Sequence, residues 1–417
     1  MIMKKYWTML AALMLCCSAK CEKTVAERYS DLHFYEIDTA YIARDWTPEQ
    51  GAAFLETLKG EYNDMKSWEK RKKAITKGLR DVLLVPDDTE SLPEPKATIT
   101  YTQRCEREGV VIENIGLEVA DGIWVTGNLY RPIMLECNHP IILSAQGHGF
   151  EGISAEAPRL VEDGQRMCIM LAEMGAVVFN YDMWARGEST LHFGKEAHNT
   201  AISGAIQTVS TMRVIDFLKS LPYTDGERIG MLGWSGGGTQ TFVATAIDKR
   251  IDWAIIVTQV SCFFPGGCTC ESGLPIHITV SPQLNNCELA AMAAPRPLLL
   301  LSDGVDWTRT TPDVEYPFIK RTYGFYGAER KVNNIHFAGD DHEYKRNRRE
   351  AIFNFVSKQW NLNTNVIKDY AGRYDFDSVQ IKPWEQLLVF NEKSFPKNHV
   401  TSVAQAFNSL QKLRKSK

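Results

Sequence analysis

The sequence predicts an α/β fold in which a mostly parallel central sheet is covered on both faces by helices, with a helical extension ahead of it. Three observations carry this. From about residue 140 to residue 360, short apolar runs alternate with longer stretches free of helix breakers, the order expected of parallel strands buried on both sides. A hairpin pattern precedes them, residues 110–119 and 122–130 around Ala120-Asp121-Gly122,. One apolar run then drives into a glycine-framed serine, Arg228-Ile-Gly-Met-Leu-Gly-Trp-Ser-Gly-Gly-Gly238.

Taken in order, the chain begins with Lys4 and Lys5, an apolar run over 6–15, and then Cys16, Cys17, Ser18 and Ala19. This is the layout of an export signal, residues 1–23, too short to remain as a spanning helix. A cysteine directly behind Leu13-Met14-Leu15 resembles a bacterial lipobox, so Cys16 or Cys17 is a candidate for acylation, against ordinary cleavage after Ala19. Either reading expects an exported protein, in the periplasm or as an outer-membrane lipoprotein, attached to a membrane only through an N-terminal lipid.

Residues 24–100 read as a charged, mostly helical extension. Thr47-Pro-Glu-Gln50 is a helix start, with Thr47 as N-cap and Pro48 at the first position,. The basic segment 66–77 reads as a solvated helix face, and Pro86 and Pro93-x-Pro95 close the region. The catalytic domain is expected over 101–362, and a tail over 363–417 should pack back through Trp384, Leu387, Leu388 and Phe390, ending in a lysine-rich helix.

Within that domain the strands are expected at 140–145, 176–181, 228–234, 251–257, 297–302 and 332–337, with helices over 164–174, 202–221, from Thr311-Pro312, and over a stripe of Ile352, Phe355, Val356 and Trp360,. Composition agrees with one large globular domain plus additions, since 44% hydrophobic and 24% charged residues are too apolar for a disordered chain. The net charge of -4 gives no reason to expect nucleic acid as a partner.

Gly233-x-Ser235-x-Gly237 between a strand and a helix has the form of a nucleophile elbow. The glycines remove Cβ atoms that would collide in the turn, and the Gly236 amide opens the helix toward any oxyanion formed at Ser235. A phosphate-binding loop is the rival, but no Gly-Lys-Ser/Thr follows,. The strand ending at Ser302 discharges into Asp303-Gly-Val-Asp306, and the next into Gly339-Asp-Asp-His342. Serine, acid, histidine is the chain order of an α/β hydrolase. His342 then serves as base for Ser235, with Asp306 preferred to Asp303 as the acid because it has more loop with which to reach the imidazole. Asp340 and Asp341 read as solvated or capping, and His336 as packed within its strand. The turn Gly147-His148-Gly149 can place a second amide, of His148 or Gly149, at the oxyanion. Trp184 and Arg186, leaving a central strand, and Trp234, beside the nucleophile, are candidate substrate contacts; an Arg186 that braces its loop through Asp182 is the structural alternative. The mechanism requires no metal or organic cofactor.

Cys262, Cys268, Cys270 and Cys287 fall between two expected strands. Export makes one or two disulfides among them reasonable, with free thiols as the alternative. A zinc site is the third reading, against which stand the Cys-x-Cys spacing and the lack of an accompanying histidine pair.

Gly-Trp-Ser-Gly-Gly-Gly-Thr-Gln from Gly233, Gly-Gly-Cys-Thr-Cys-Glu from Gly266, Ala-Pro-Arg-Pro-Leu-Leu from Ala294, Asp306-Trp-Thr and the Asp-His-Glu-Tyr at Asp341 together resemble the secreted bacterial α/β hydrolases grouped with acetylxylan esterases and related pectin methylesterases. The resemblance covers about 112–360. It implies a carbohydrate esterase with Ser235, Asp306 and His342 as triad, acting on a plant polysaccharide or oligosaccharide ester, and Glu271 bordering the substrate. The better known acetylxylan esterases carry Gln after the nucleophile where this chain has Gly236, so their acetyl specificity does not transfer. The expected function is a serine carboxylesterase that removes uronate methyl esters or O-acetyl groups, the cationic Arg186 tilting toward uronates. The alternatives are a prolyl-oligopeptidase-like peptidase, for which the N-terminal region is short and lacks propeller strands, and a noncatalytic binding homologue.

Overall fold

The computed structural model describes residues 46–416 apart from 87–91, 93, 106–107, 136–137, 150–152, 154–155 and 273–274. The leader with Cys16, Cys17 and Cys21, Pro93 and Cys137 lie outside the described residues.

Two helices open the described chain. α1, Pro48–Glu61, starts at Thr47, whose hydroxyl accepts from the Gln50 amide while the Gln50 side chain accepts from the Thr47 amide,. α2, Met65–Val82, has a matching box on Asp64 and Ser67. Lys66, Lys70, Lys73 and Lys77 of α2 face solvent, as the sequence suggests, while Lys72 donates to the Ala294 carbonyl at 3.0 Å; the other face buries Trp68, Ile75 and Leu79 completely, each contributing about 1.5–3 kcal/mol by area. Arg71 reaches the catalytic core through a two-pronged pair with Glu288 at 2.9 Å.

Among the described residues nine strands form one sheet in the order β1-β2-β3-β5-β4-β6-β7-β8-β9. β2, Val110–Ala120, and β3, Ile123–Pro132, are the expected hairpin, turning at Asp121 and a Gly122 with φ of 73°. β1, Lys96–Cys105, pairs antiparallel with β2 at the edge of the sheet and was not foreseen: the helical reading of 24–100 is corrected there. From β5 (Val177–Tyr181) through β4 (His139–Ala145), β6 (Thr224–Trp234), β7 (Trp253–Val257) and β8 (Leu298–Asp303) to β9 (Val332–Phe337), every pairing is parallel. The central strands β4, β5, β7 and β8 are buried along their whole length, because α3 (Glu162–Glu173), α4 (Ile202–Ser220), α5 (Gly236–Ile247), α6 (Glu315–Gly324) and α7 (Arg346–Trp360) cover the sheet. α6 begins at Glu315 rather than at Thr311-Pro312, where the chain makes turns instead.

The tail returns to the hairpin. Backbone carbonyls of Gln386, Leu387 and Leu388 accept from the side chains of Gln103, Asn114 and Asn128, and Leu387 and Phe390 are buried while Trp384 is exposed. α8, Val403–Lys415, buries Ala406, Phe407 and Leu410 and turns its basic end to Asp121 and Asp81. Among the described residues no helix is long and apolar enough to cross a membrane.

Candidate active site

The site lies where β6, β8 and β9 end. Ser235 follows β6 with φ of 54° and ψ of -122°, a backbone state that costs a non-glycine residue about 1–3 kcal/mol and persists only when its surroundings enforce it. Two contacts do so. The Ser235 amide donates to the Val257 carbonyl of β7 at 3.0 Å, and the amides of Gly238 and Thr239 donate to the Ser235 carbonyl at 2.7 and 3.1 Å. A Cβ on Gly233 would stand 2.1 Å from the Gly237 carbonyl oxygen, so the elbow closes only with glycine there.

His342 faces this serine from the loop after β9, its Nε2 2.9 Å from Ser235 Oγ, and its Nδ1 is 2.8 Å from Asp306 Oδ2. Nδ1 carries the proton if Asp306 is ionised, leaving Nε2 as acceptor for the hydroxyl. Asp306 is fixed in turn by Thr308, whose amide and hydroxyl both donate to Oδ1 at 2.6 Å. The acid and histidine loops are tied together, Gly304 N to Phe337 O at 3.0 Å and Val305 N to Asp340 O at 3.1 Å. Asp303 is excluded as His342's partner because its Oδ1 is engaged by the fully buried Arg348, which also bonds Asp340. Asp340 thereby braces the loop, while Asp341 makes a surface pair with Lys345 at 2.9 Å. His336 is half-buried and bonded to Ser302 Oγ at 2.9 Å. The arrangement can pass a proton from a serine hydroxyl to an imidazole whose charge a carboxylate stabilises.

Gly236 takes the first position of α5, where helix geometry leaves its N–H without an intrahelical acceptor. The Gly147 loop abuts the elbow so closely that a Cβ on Gly147 would lie 2.5 Å from the Trp234 oxygen and 2.8 Å from Ser235 Cβ. Backbone amides of His148 and Gly149 therefore leave this contact beside the nucleophile. The His148 side chain does not enter the serine site. Its Nε2 lies 2.7 Å from His198 Nε2 and 3.4 Å from Cys270 Sγ.

An open cleft of about 640 Å³ runs past Gln146, Gly149, Trp234, Tyr344 and Lys345. Trp234 stacks on Tyr344, with centroids 5.9 Å apart and planes 1° from parallel, and on His342 at 5.3 Å. Trp184, expected as a substrate contact, is corrected: it is 3% exposed within the main core and forms the floor under its loop. Arg186 is half-buried and its Nε has no hydrogen-bond partner among the described residues. The loop is braced by Arg159, which sequence reasoning missed. Fully buried, it pairs with Asp182 at 2.8 Å and with Glu188. Glu271 borders no open surface, being 4% exposed. Its Oε1 accepts from Thr239 and Gln259 at 3.0 and 2.8 Å, and its Oε2 lies 3.8 Å from His148 Nδ1.

The disulfide expectation is corrected. Cys262, Cys268, Cys270 and Cys287 are free thiols. Cys262 and Cys287 are buried, which raises both pKa values, whereas Cys268 and Cys270 turn toward His148 and the buried His198. A hydrogen bond from Cys270, opposed by burial and supported by both histidines, holds Cys268 well below the usual thiol range, and burial raises Cys270. Burial disfavours a charged His148, yet its bond to Cys268 and the Glu271 charge outweigh this and raise its pKa.

No family model matches the chain. A stretch of 89 residues is 35% identical to protein PA2218 of Pseudomonas aeruginosa, covering 21% of this chain and 23% of that one; the chain thus spans under a quarter of that relative. Among solved structures, glucuronoyl esterases from Solibacter usitatus and Teredinibacter turnerae superpose with TM-scores of 0.54 and 0.51 at 14% identity. Each covers 71% of this chain, with 94% and 86% of their own chains covered, and at that identity they speak for the fold. Methylesterase BT1017 is 32% identical, with a TM-score of 0.79, over 89% of this chain and 83% of its own. At that identity and coverage the likeness extends beyond the shared sheet to the family, and the chain belongs with methylesterase BT1017 among the α/β-hydrolase carbohydrate esterases.

Proposed function

We propose that the protein is a serine carboxylesterase that removes methyl esters from uronate residues of a plant polysaccharide or its oligosaccharides. The observation that carries the mechanism is the line Ser235 Oγ, His342 Nε2, His342 Nδ1, Asp306 Oδ2, with steps of 2.9 and 2.8 Å. Ser235 Oγ attacks the ester carbonyl as its proton passes to His342 Nε2, and Asp306 stabilises the imidazolium. The Gly236 amide, with an amide from the 147–149 loop, receives the oxyanion. The intermediate collapses with cleavage of the ester C–O bond, and His342 returns the proton to the departing methanol. Water, activated by the same imidazole, then cleaves the acyl-enzyme and releases the uronate carboxylate.

Two observations favour the methyl ester over the acetyl ester. The relative that defines the family is a methylesterase. Arg186 keeps a half-buried guanidinium without a carboxylate partner among the described residues, near enough for its charge to oppose protonation of His148. A free uronate carboxylate beside the scissile ester would satisfy it. The leader over 1–23 supports action outside the cytoplasm, where such polymers are met.

The test assays methanol and acetate in parallel after incubation with methyl-esterified pectin and with acetylated xylan. Methanol release that disappears in Ser235→Ala is the expected result. Acetate alone would replace the methylesterase reading with a deacetylase, and turnover unchanged in Ser235→Ala would remove Ser235 as nucleophile.

A further inference from the structure

Beside the serine site, four side chains from three separate segments converge on one point. His148 comes from the loop after β4, His198 from the 195–199 turn after β5, and Cys268 and Cys270 from the loop after β7. One ligand atom of each lies within 4.8 Å of all the others. The tautomer of His198 is fixed by its surroundings. Its Nδ1 is 2.5 Å from the Trp184 carbonyl, which only accepts, so Nδ1 carries the hydrogen and neutral Nε2 presents a lone pair. The same Nε2 faces His148 Nε2 at 2.7 Å, and His148 Nδ1 is turned to the Glu271 carboxylate at 3.8 Å. Two imidazole nitrogens and two sulfurs thus converge on a common centre. Behind each ring stands the carbonyl or carboxylate that ordinarily orients a metal-bound histidine.

We propose that His148, His198, Cys268 and Cys270 form a four-ligand site for a zinc-class divalent cation, which staples the loop beside Ser235 to the cysteine loop. Two nitrogens and two sulfurs are a donor set for tetrahedral zinc. Zn–N bonds near 2.0–2.1 Å set the nitrogens about 3.3 Å apart, so the histidine rings separate by roughly half an ångström on loading. Both cysteines bind as thiolates, which makes affinity fall in acid. Four protein ligands leave no open position, so the ion holds structure and takes no part in the ester chemistry. What it holds is consequential: His148 follows Gly147, whose backbone touches Ser235, and a Cβ on Gly236 would meet the His148 ring at 2.6 Å. The Cys-x-Cys spacing that argues against zinc is completed by histidines about fifty residues apart in sequence, brought together only by the fold.

The proposal does not depend on the substrate and is tested by metal content. Untagged full-length protein is purified without chelator and analysed by elemental mass spectrometry, then titrated with a mercurial while a chromophoric chelator reports released zinc. About one equivalent per chain, released as the thiols react, is expected. Cobalt substitution should give the visible bands of a tetrahedral ion and a thiolate-to-metal charge-transfer band in the near ultraviolet. Cys268→Ser and His198→Ala should each hold at most about a tenth of an equivalent, while Cys105→Ser, outside the cluster, retains the ion. Should a cluster variant fail to fold, the wild-type cobalt spectrum still decides. Wild-type protein that binds neither zinc nor cobalt, or an intact mass short by two hydrogens from a Cys268–Cys270 disulfide, would overturn the site. Loss of metal with esterase activity still detectable would separate this result from failure of the catalytic assignment.

Discussion

Trp307 lies against His342, their ring centroids 4.1 Å apart and their planes tilted by 40°. Trp307 is itself backed by Phe264 at 4.5 Å, and Trp234 contacts the same imidazole at 5.3 Å. His342 thus depends on two indoles for its aim as well as on Asp306. Trp307→Ala should lower kcat about 10–100-fold with little change in KM, since a misplaced base costs orientation more than binding. Trp307→Phe should recover most of the loss. Equal damage from both substitutions would point to general unfolding of the loop rather than to positioning.

Asp306→Asn separates geometry from charge. In the native site Thr308 donates twice to Oδ1, so an asparagine would keep its carbonyl oxygen there and turn its NH2 to His342 Nδ1. That imposes the opposite tautomer, with the hydrogen on Nε2 facing Ser235, where it cannot accept the serine proton. Loss of about 10³–10⁴ in kcat is expected, with an unchanged circular dichroism spectrum. Activity within tenfold of wild type would show that another acid supports His342.

Arg159→Met tests the brace beneath the substrate-side loop. Removing the guanidinium leaves Asp182 and Glu188, both buried, without their countercharge, and a broken buried pair costs about 3–5 kcal/mol. Glu188 also accepts from the amides of Val389 and Phe390, so the tail should loosen along with the loop. Chemical denaturation should show the drop, and limited proteolysis should cut the tail earlier. Stability within about 1 kcal/mol of wild type would mean that the two carboxylates neutralise themselves by taking up protons.

The parts of this site that were legible in the sequence are those with a local signature. Ser235 sits in a five-residue pattern, and Asp306 and His342 follow apolar strands in a fixed chain order. β1 was missed although Ala97, Ile99 and Tyr101 alternate with Thr98, Thr100 and Thr102, a period of two rich in strand-forming residues that was the available signal. All seven residues of Lys96-Ala-Thr-Ile-Thr-Tyr-Thr are exposed, so the alternation marks an edge strand with no buried face to reinforce it. His198 and Arg159 carried none: each gains its meaning from partners on other elements, and no period connects them. Trp184 misled because leaving a strand at the ligand-bearing end does not decide whether a ring faces cleft or core. The four cysteines were read as a group by spacing, whereas the fold divides them, two into the core and two toward histidines.

Asp303 gives the chain a pH dependence separate from catalysis. Its side chain is fully buried against Arg348, and burial raises its pKa from 3.8 to about 7, with the Arg348 charge pulling the other way. Between those values the folded chain keeps a proton that the unfolded chain has released. The contribution to stability is therefore complete below about pH 4 and is lost as the pH rises through 7. Asp303→Asn stays neutral and retains an acceptor for Arg348, so it does not share that loss. Other buried acids, Glu188 among them, titrate in both proteins and cancel in the comparison. The melting temperature of the variant minus that of wild type should climb from pH 4 to pH 8 and then level off. A flat difference would mean that Arg348 keeps Asp303 ionised throughout, and a falling one that the ion pair outweighs its own desolvation.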